Sequence, residues 1–164
     1  MPYDKLFSPI VNGFFRNGLM SNTSVNVGGS SGNTTYNASY SYLDDKGITP
    51  GNDMIRNTFG MGGSAKLSNN FVLSGTFNFT NTDVKSPPTA TSFGSGSANG
   101  PAIFGDVMYT PITIDLNHLP YQNPLDGSSV YYRNNNSIQN PYWTVHHSLT
   151  DDNVYRVFGN IQMK

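Results

Sequence analysis

Apolar and polar residues alternate along four stretches of the chain, and a period of two predicts half-buried β-strands. From 33 to 43, Tyr36, Ala38, Tyr40 and Tyr42 fall in one register, and Thr35, Asn37, Ser39 and Ser41 in the other. From 54 to 67, Ile55, Phe59, Met61, Ala65 and Leu67 oppose Arg56, Thr58, Ser64 and Lys66. From 71 to 81, Phe71, Leu73, Phe77 and Phe79 oppose Ser74, Thr76, Asn78 and Thr80. From 152 to 164, Tyr155, Val157, Ile161 and Met163 oppose Arg156, Asn160, Gln162 and Lys164. A weaker fifth strand at 21–28 sets Val25 and Val27 against Asn22, Ser24 and Asn26. No amphipathic helix of useful length competes, so the predicted fold class is all-β with antiparallel strands.

Composition changes what those faces mean. Charged residues are 12% of the chain, about half the usual globular share, so the polar registers are built from Asn, Ser and Thr. A soluble sheet exposes more charge on its wet face. This pattern predicts one face toward an apolar phase and the other toward a hydrated, mostly neutral interior, as in a transmembrane β-barrel. The formal net charge of -1 argues against a nucleic-acid partner, which calls for a basic excess. Cysteine is absent, which excludes thiolate sites and disulfides.

The predicted links run short (Gly29–Gly32), medium (Leu43–Asp53, with Asp44–Asp45 in a solvated turn), short (Ser68–Asn70) and long (82–151). Short turns on one side and long loops on the other are the layout of an outer-membrane barrel, with the long loops extracellular. The long link opens with a low-complexity run, Pro87 to Ser97, and continues rich in Pro, Asn and Tyr. Strands of ten residues rise about 33 Å, enough to cross an apolar band when tilted near 45°. Five strands do not close a barrel, since the smallest membrane barrels have about eight. The expectation is therefore a segment of a larger protein.

Several stretches, in order, resemble the SusC/RagA-like TonB-dependent outer-membrane transporters of Bacteroidetes, around their first barrel strands. Phe14–Gly18 followed by Ser24–Gly29 is similar to the join from plug into barrel, assigning 1–20 to that junction and 21–164 to the first strands. Thr35–Tyr42 with Asp45–Ile48 resembles the next hairpin and its Lys-Gly-Ile loop. Asn140–Trp143 followed by Asp152–Gly159 resembles the return from an early extracellular loop. The resemblance implies a plugged barrel of about 22 strands that imports a bulky glycan or peptide. It also implies a SusD-like surface lipoprotein as lid, dimers of such pairs, energy from the TonB system, and contact with membrane lipid and lipopolysaccharide. The chain departs from the family in lacking a signal peptide, TonB box, plug and most of the barrel.

On this reading Phe59, Met61, Phe77, Phe79, Val157 and Ile161 face lipid. Arg56, Thr76, Asn78, Arg156 and Gln162 face the lumen. Tyr131, Tyr132, Tyr142 and Trp143 in the long loop are candidates for stacking on sugar or docking a partner. The competing assignment packs them within the loop or places them in an aromatic girdle. His146–His147 near Asp151–Asp152 lacks a third ligand at a recognised spacing, and Asp44–Asp45 lacks the ligand repeat of a calcium loop. Gly60, Gly62 and Gly63 lie inside a strand pattern, where they allow bending or close approach rather than cradle phosphate. No catalysis, cofactor or metal is expected. Two other functions account for the alternation: a soluble secreted β-sandwich that binds carbohydrate, and a passive porin without plug or TonB coupling.

Overall fold

The computed structural model of the chain describes residues 10–68, 71–88, 103–132 and 139–164. Five strands, β1 (Leu19–Ser31), β2 (Thr34–Lys46), β3 (Asp53–Ser68), β4 (Phe71–Ser86) and β5 (Thr150–Met163), form one sheet in the order β1-β2-β3-β4-β5. Three short helices lie among the described residues: α1 (Ile10–Phe14), α2 (Ile103–Tyr109) and α3 (Pro141–His147). The chain divides into two compact units. One is the sheet, 19–46, 53–84 and 151–164; the other gathers 1–18, 47–52 and 85–150.

Strand pairing carries the alternation of the sequence across the sheet. β1 and β2 pair antiparallel with Val25 opposite Tyr40 and Val27 opposite Ala38. β2 and β3 pair antiparallel with Tyr40 opposite Phe59 and Ala38 opposite Met61. Facing residues in a ladder share a side of the sheet, so these six stand together. At the other end of the sheet, Val72 and Lys164 exchange backbone hydrogen bonds of 2.8 and 3.0 Å, the reciprocal pair of an antiparallel ladder. The opposite side joins its strands through short polar side chains. Ser41 donates to Asn22 at 3.0 Å, Thr35 meets Ser64 at 2.8 Å, and Thr76 donates to Asn160 at 2.6 Å. Asn57, a polar residue in the apolar register of β3, accepts from the Tyr40 hydroxyl at 2.7 Å.

β1 and β3 outrun their predicted bounds at both ends, β2 and β4 at their C-terminal ends, and β5 at its start. The ladder depends on backbone groups, and it continues past the point where side chains stop alternating: Leu19 pairs with Lys46 and Ser31 with Thr34. Gly29, Ser30 and Ser31 thus belong to β1, and the turn is Gly32–Asn33, with Gly32 at φ 55°. Tyr36, opposite Gly29, lays its ring over that glycine, its hydroxyl 2.6 Å from where a Cβ would stand. An aromatic covering a cross-strand glycine supplies the packing that glycine lacks. Asp44 and Asp45 are likewise in β2 rather than in a turn, paired with Ile55 and Met54 of β3. Gly60 and Gly62 are points of close approach, with Ser39 and Asn78 against Gly60 and Asn37 against Gly62.

The long link is shorter than predicted, because β4 runs to Ser86 and β5 begins at Thr150. Much of it is folded. Ile103, Val107, Leu116 and Val145 from the link bury against Ile10 and Phe14 from the N-terminal segment, with Phe15, Tyr131 and Tyr142 packed around them. The helices went unpredicted because five to seven residues are too few for a 3.6-residue period to declare itself. Arg16 ties in the 47–52 turn: Nε donates to Gly47 O at 2.8 Å, Nη2 to Asn52 O at 2.9 Å, and its amide to Ile48 O at 2.9 Å. The predicted turn at Asn69–Asn70, the N-terminal residues before 10, and the low-complexity stretch from 89 lie outside the described residues.

Candidate functional site

Among the described residues, neither face of the sheet has a buried core. Gly60 is the one buried residue among those described in the sheet unit. On the apolar side Phe77, Val157 and Ile161 are 40%, 62% and 78% exposed, and Phe59 and Met61 are exposed as well. Phe79 is half-buried, stacked on Tyr155 with ring centroids 6.4 Å apart. A large, continuous exposed apolar surface marks contact with something other than water.

The polar side is a shallow field of hydroxyl and amide groups interrupted by cations. Alternation places Arg56, Lys66, Arg156 and Lys164 on it, with Thr76, Asn78 and Gln162 between. Arg56 and Arg156 line one groove of about 400 Å³ with Thr58, Thr80, Thr82 and Val154. Neither arginine is ion-paired with a described residue. Arg56 reaches back along its own strand, its Nη2 3.6 Å from Met54 Sδ. Two guanidinium forks beside threonine hydroxyls present several N–H donors in bidentate geometry, a chemistry suited to oxyanions.

The four loop aromatics lie in the second unit, and each directs its polar atom inward. The Tyr131 hydroxyl meets Thr110 Oγ1 at 2.7 Å and donates to Asp106 O at 3.1 Å. Tyr132 packs on Tyr131 at 4.5 Å, its hydroxyl 3.5 Å from Tyr109 O. The Tyr142 hydroxyl donates to Asn117 Oδ1 at 2.8 Å, its ring edge-on to Phe14 at 4.9 Å, and burial raises its pKa. Trp143 Nε1 donates to Gly127 O at 2.9 Å and stacks on His147 at 4.8 Å. All four are half-buried. The arrangement packs the loop on itself, which is the competing assignment for these residues.

His146 stacks on Tyr121 at 5.0 Å, and His147 Nδ1 lies 3.1 Å from Trp143 O. These are helix-end and ring contacts. No group of three His, Asp or Glu able to hold a metal occurs among the described residues.

Two residues that carry the second unit escaped the sequence reading. Asn140 is fully buried and caps α3: Oδ1 accepts from Tyr142 N at 2.9 Å, Nδ2 donates to Val130 O at 2.9 Å, and its own amide donates to Ser129 Oγ at 2.9 Å. The signal was present, since Asn followed by Pro at the first helical position is a helix-start signature. Asp106 is buried in α2, and desolvation pushes its carboxyl up to about 6. Nothing in its sequence surroundings marks it. In comparison with known proteins, the chain matches no family model, and no curated protein matches it in sequence.

Proposed function

We propose that the sheet is part of the wall of a TonB-dependent outer-membrane active transporter of the SusC/RagA type, importing a bulky glycan or peptide. The observation that carries this reading is the sheet's double exposure. A soluble sandwich buries one face of each sheet, whereas here an apolar face lies open on one side and a polar face, rich in Asn, Ser and Thr, on the other. Strands of 13 to 16 residues span more than the ~25 Å apolar band of an outer-membrane barrel even when tilted. In this reading the register of Phe59, Met61, Phe77, Phe79, Val157 and Ile161 meets lipid, and that of Arg56, Thr76, Asn78, Arg156 and Gln162 meets the lumen. A SusD-like lipoprotein, the TonB system and a paired assembly are the partners it calls for.

The test is membrane fractionation of the native polypeptide, followed by electrophoresis with and without heating. An outer-membrane product whose mobility changes on boiling is expected. A folded protein in the soluble fraction would overturn the reading and leave the sandwich module in its place.

A further inference from the structure

We propose that Arg56 and Arg156, with Thr58, Thr80 and Thr82 between them, form a site for an oxyanion carried by a solute. The carboxylate of an acidic sugar is the class that fits. The inference rests on the proposed function only in taking this face to be the one that meets solute.

The groove is made by strand order. β3 and β5 flank β4, so with two strand spacings across it and two residues along it the arginine backbones stand about 12 Å apart. Close approach of Gly62 to Thr76 and of Gly60 to Asn78 sets β3 against β4 in steps of two. The same steps bring Arg56 beside Thr82. From the Val72–Lys164 pair and the Thr76–Asn160 bond, the same count brings Arg156 beside Thr80. An arginine side chain is long enough for both forks to reach one group held over β4. The open groove, of about 400 Å³, falls within the size range of small-ligand clefts.

Neither Arg56 nor Arg156 is ion-paired with a described acid. On this face of β3, β4 and β5, alternation places Arg56, Lys66, Arg156 and Lys164 against Asp152 alone. Asp152 is four residues along β5 from Arg156, about 13 Å in an extended strand. The neighbouring Asp45 of β2 faces Met54, and the residue facing Arg56 is Leu43. Guanidinium groups take carboxylate, sulfate or phosphate in a bidentate fork, and the threonine hydroxyls both donate and accept. That combination suits an oxyanion with hydroxyls beside it better than a bare ion or a neutral sugar.

The test follows the arginine Nε–H resonances of the protein in detergent micelles, assigned with Arg56→Gln and Arg156→Gln, at constant chloride. Sodium galacturonate is the probe and galactose its neutral counterpart. Galacturonate is expected to move both resonances saturably, with galactose moving neither, and either glutamine variant weakening the apparent affinity at least tenfold. Equal shifts with galactose would overturn the site. So would a shift at one arginine only, or resonances that respond to no probe because an acidic segment of the polypeptide already holds them. If a glutamine variant fails to fold, Arg56→Lys or Arg156→Lys supplies the assignment, and the wild-type titration then decides the matter. Fractionation tests the membrane reading separately, so the failure of one leaves the other standing.

Discussion

Asn140 shows how much one side chain can fix. It closes the first turn of α3, holds Val130, and donates its own amide to Ser129, all while fully buried. Replacing it with alanine strips the cap and leaves buried groups unpaired, at about 1–3 kcal/mol each where no water enters. Asn140→Ala is expected to destabilise the second unit by about 2–4 kcal/mol. Asn140→Asp keeps the cap acceptor but sets a buried carboxyl oxygen against the Val130 carbonyl, so it should be destabilising as well, and more so as pH rises and the carboxyl ionises. Denaturant unfolding read by fluorescence of Trp143, the single tryptophan, would order the three proteins. Asp106 gives the pH dependence. Its folded pKa of about 6 lies above its ordinary value of 3.8, so the neutral carboxyl is the form the fold prefers. The associated stability is complete below the ordinary value and is lost as pH rises through 6, up to about 3 kcal/mol for the whole shift. Asp106→Asn should flatten the curve between pH 4 and 7 and leave the unit more stable than wild type at pH 7.5. An unchanged pH profile would show that another group sets it.

Strands were legible where helices were not, because a period of two repeats five or six times in a strand of this length. The register of Val25, Tyr40 and Phe59 could be drawn from the sequence, since slipping by one residue would turn every apolar side chain to the other face. The ends could not be drawn. Backbone pairing runs on through Asp44 and Asp45, residues whose side chains suggest a turn and whose amides and carbonyls are indifferent to that. The polar-side groove was half legible: both arginines were placed in the polar register, while their convergence over Thr80 and Thr82 depends on strand order, which one sequence does not display. The register yields its own test. Phe77→Lys puts a charge in the middle of the apolar face and should impair membrane assembly by about 2–4 kcal/mol near the midplane. Thr76→Lys, one residue away on the hydrated side, loses the bond to Asn160 and should assemble normally. The fraction of heat-modifiable protein in the membrane reports both; equal tolerance would mean the faces are wrongly assigned.

For the molecule as a whole, the decisive fact is where burial is found. All six buried hydrophobic residues, Ile10, Phe14, Ile103, Val107, Leu116 and Val145, belong to the second unit, and the sheet has no core of its own among the described residues. In the five-stranded order β1 and β5 are edges, and each edge offers a row of unpaired backbone donors and acceptors. A sheet with an open apolar face and two open edges cannot be held in water by the hydrophobic effect, because folding removes little apolar surface from solvent. An apolar phase can take up the open face, but the two edges then need partner strands, because unpaired backbone groups cost several kcal/mol each where no water reaches them. The 164-residue polypeptide placed in buffer alone is therefore expected to self-associate. Transfer to detergent micelles should disperse it and strengthen its β circular dichroism. Light scattering after size exclusion, run in both media on one preparation, measures this directly. A monodisperse β-rich monomer in buffer would require a covering for the apolar face that the described residues do not supply, and with it a soluble function.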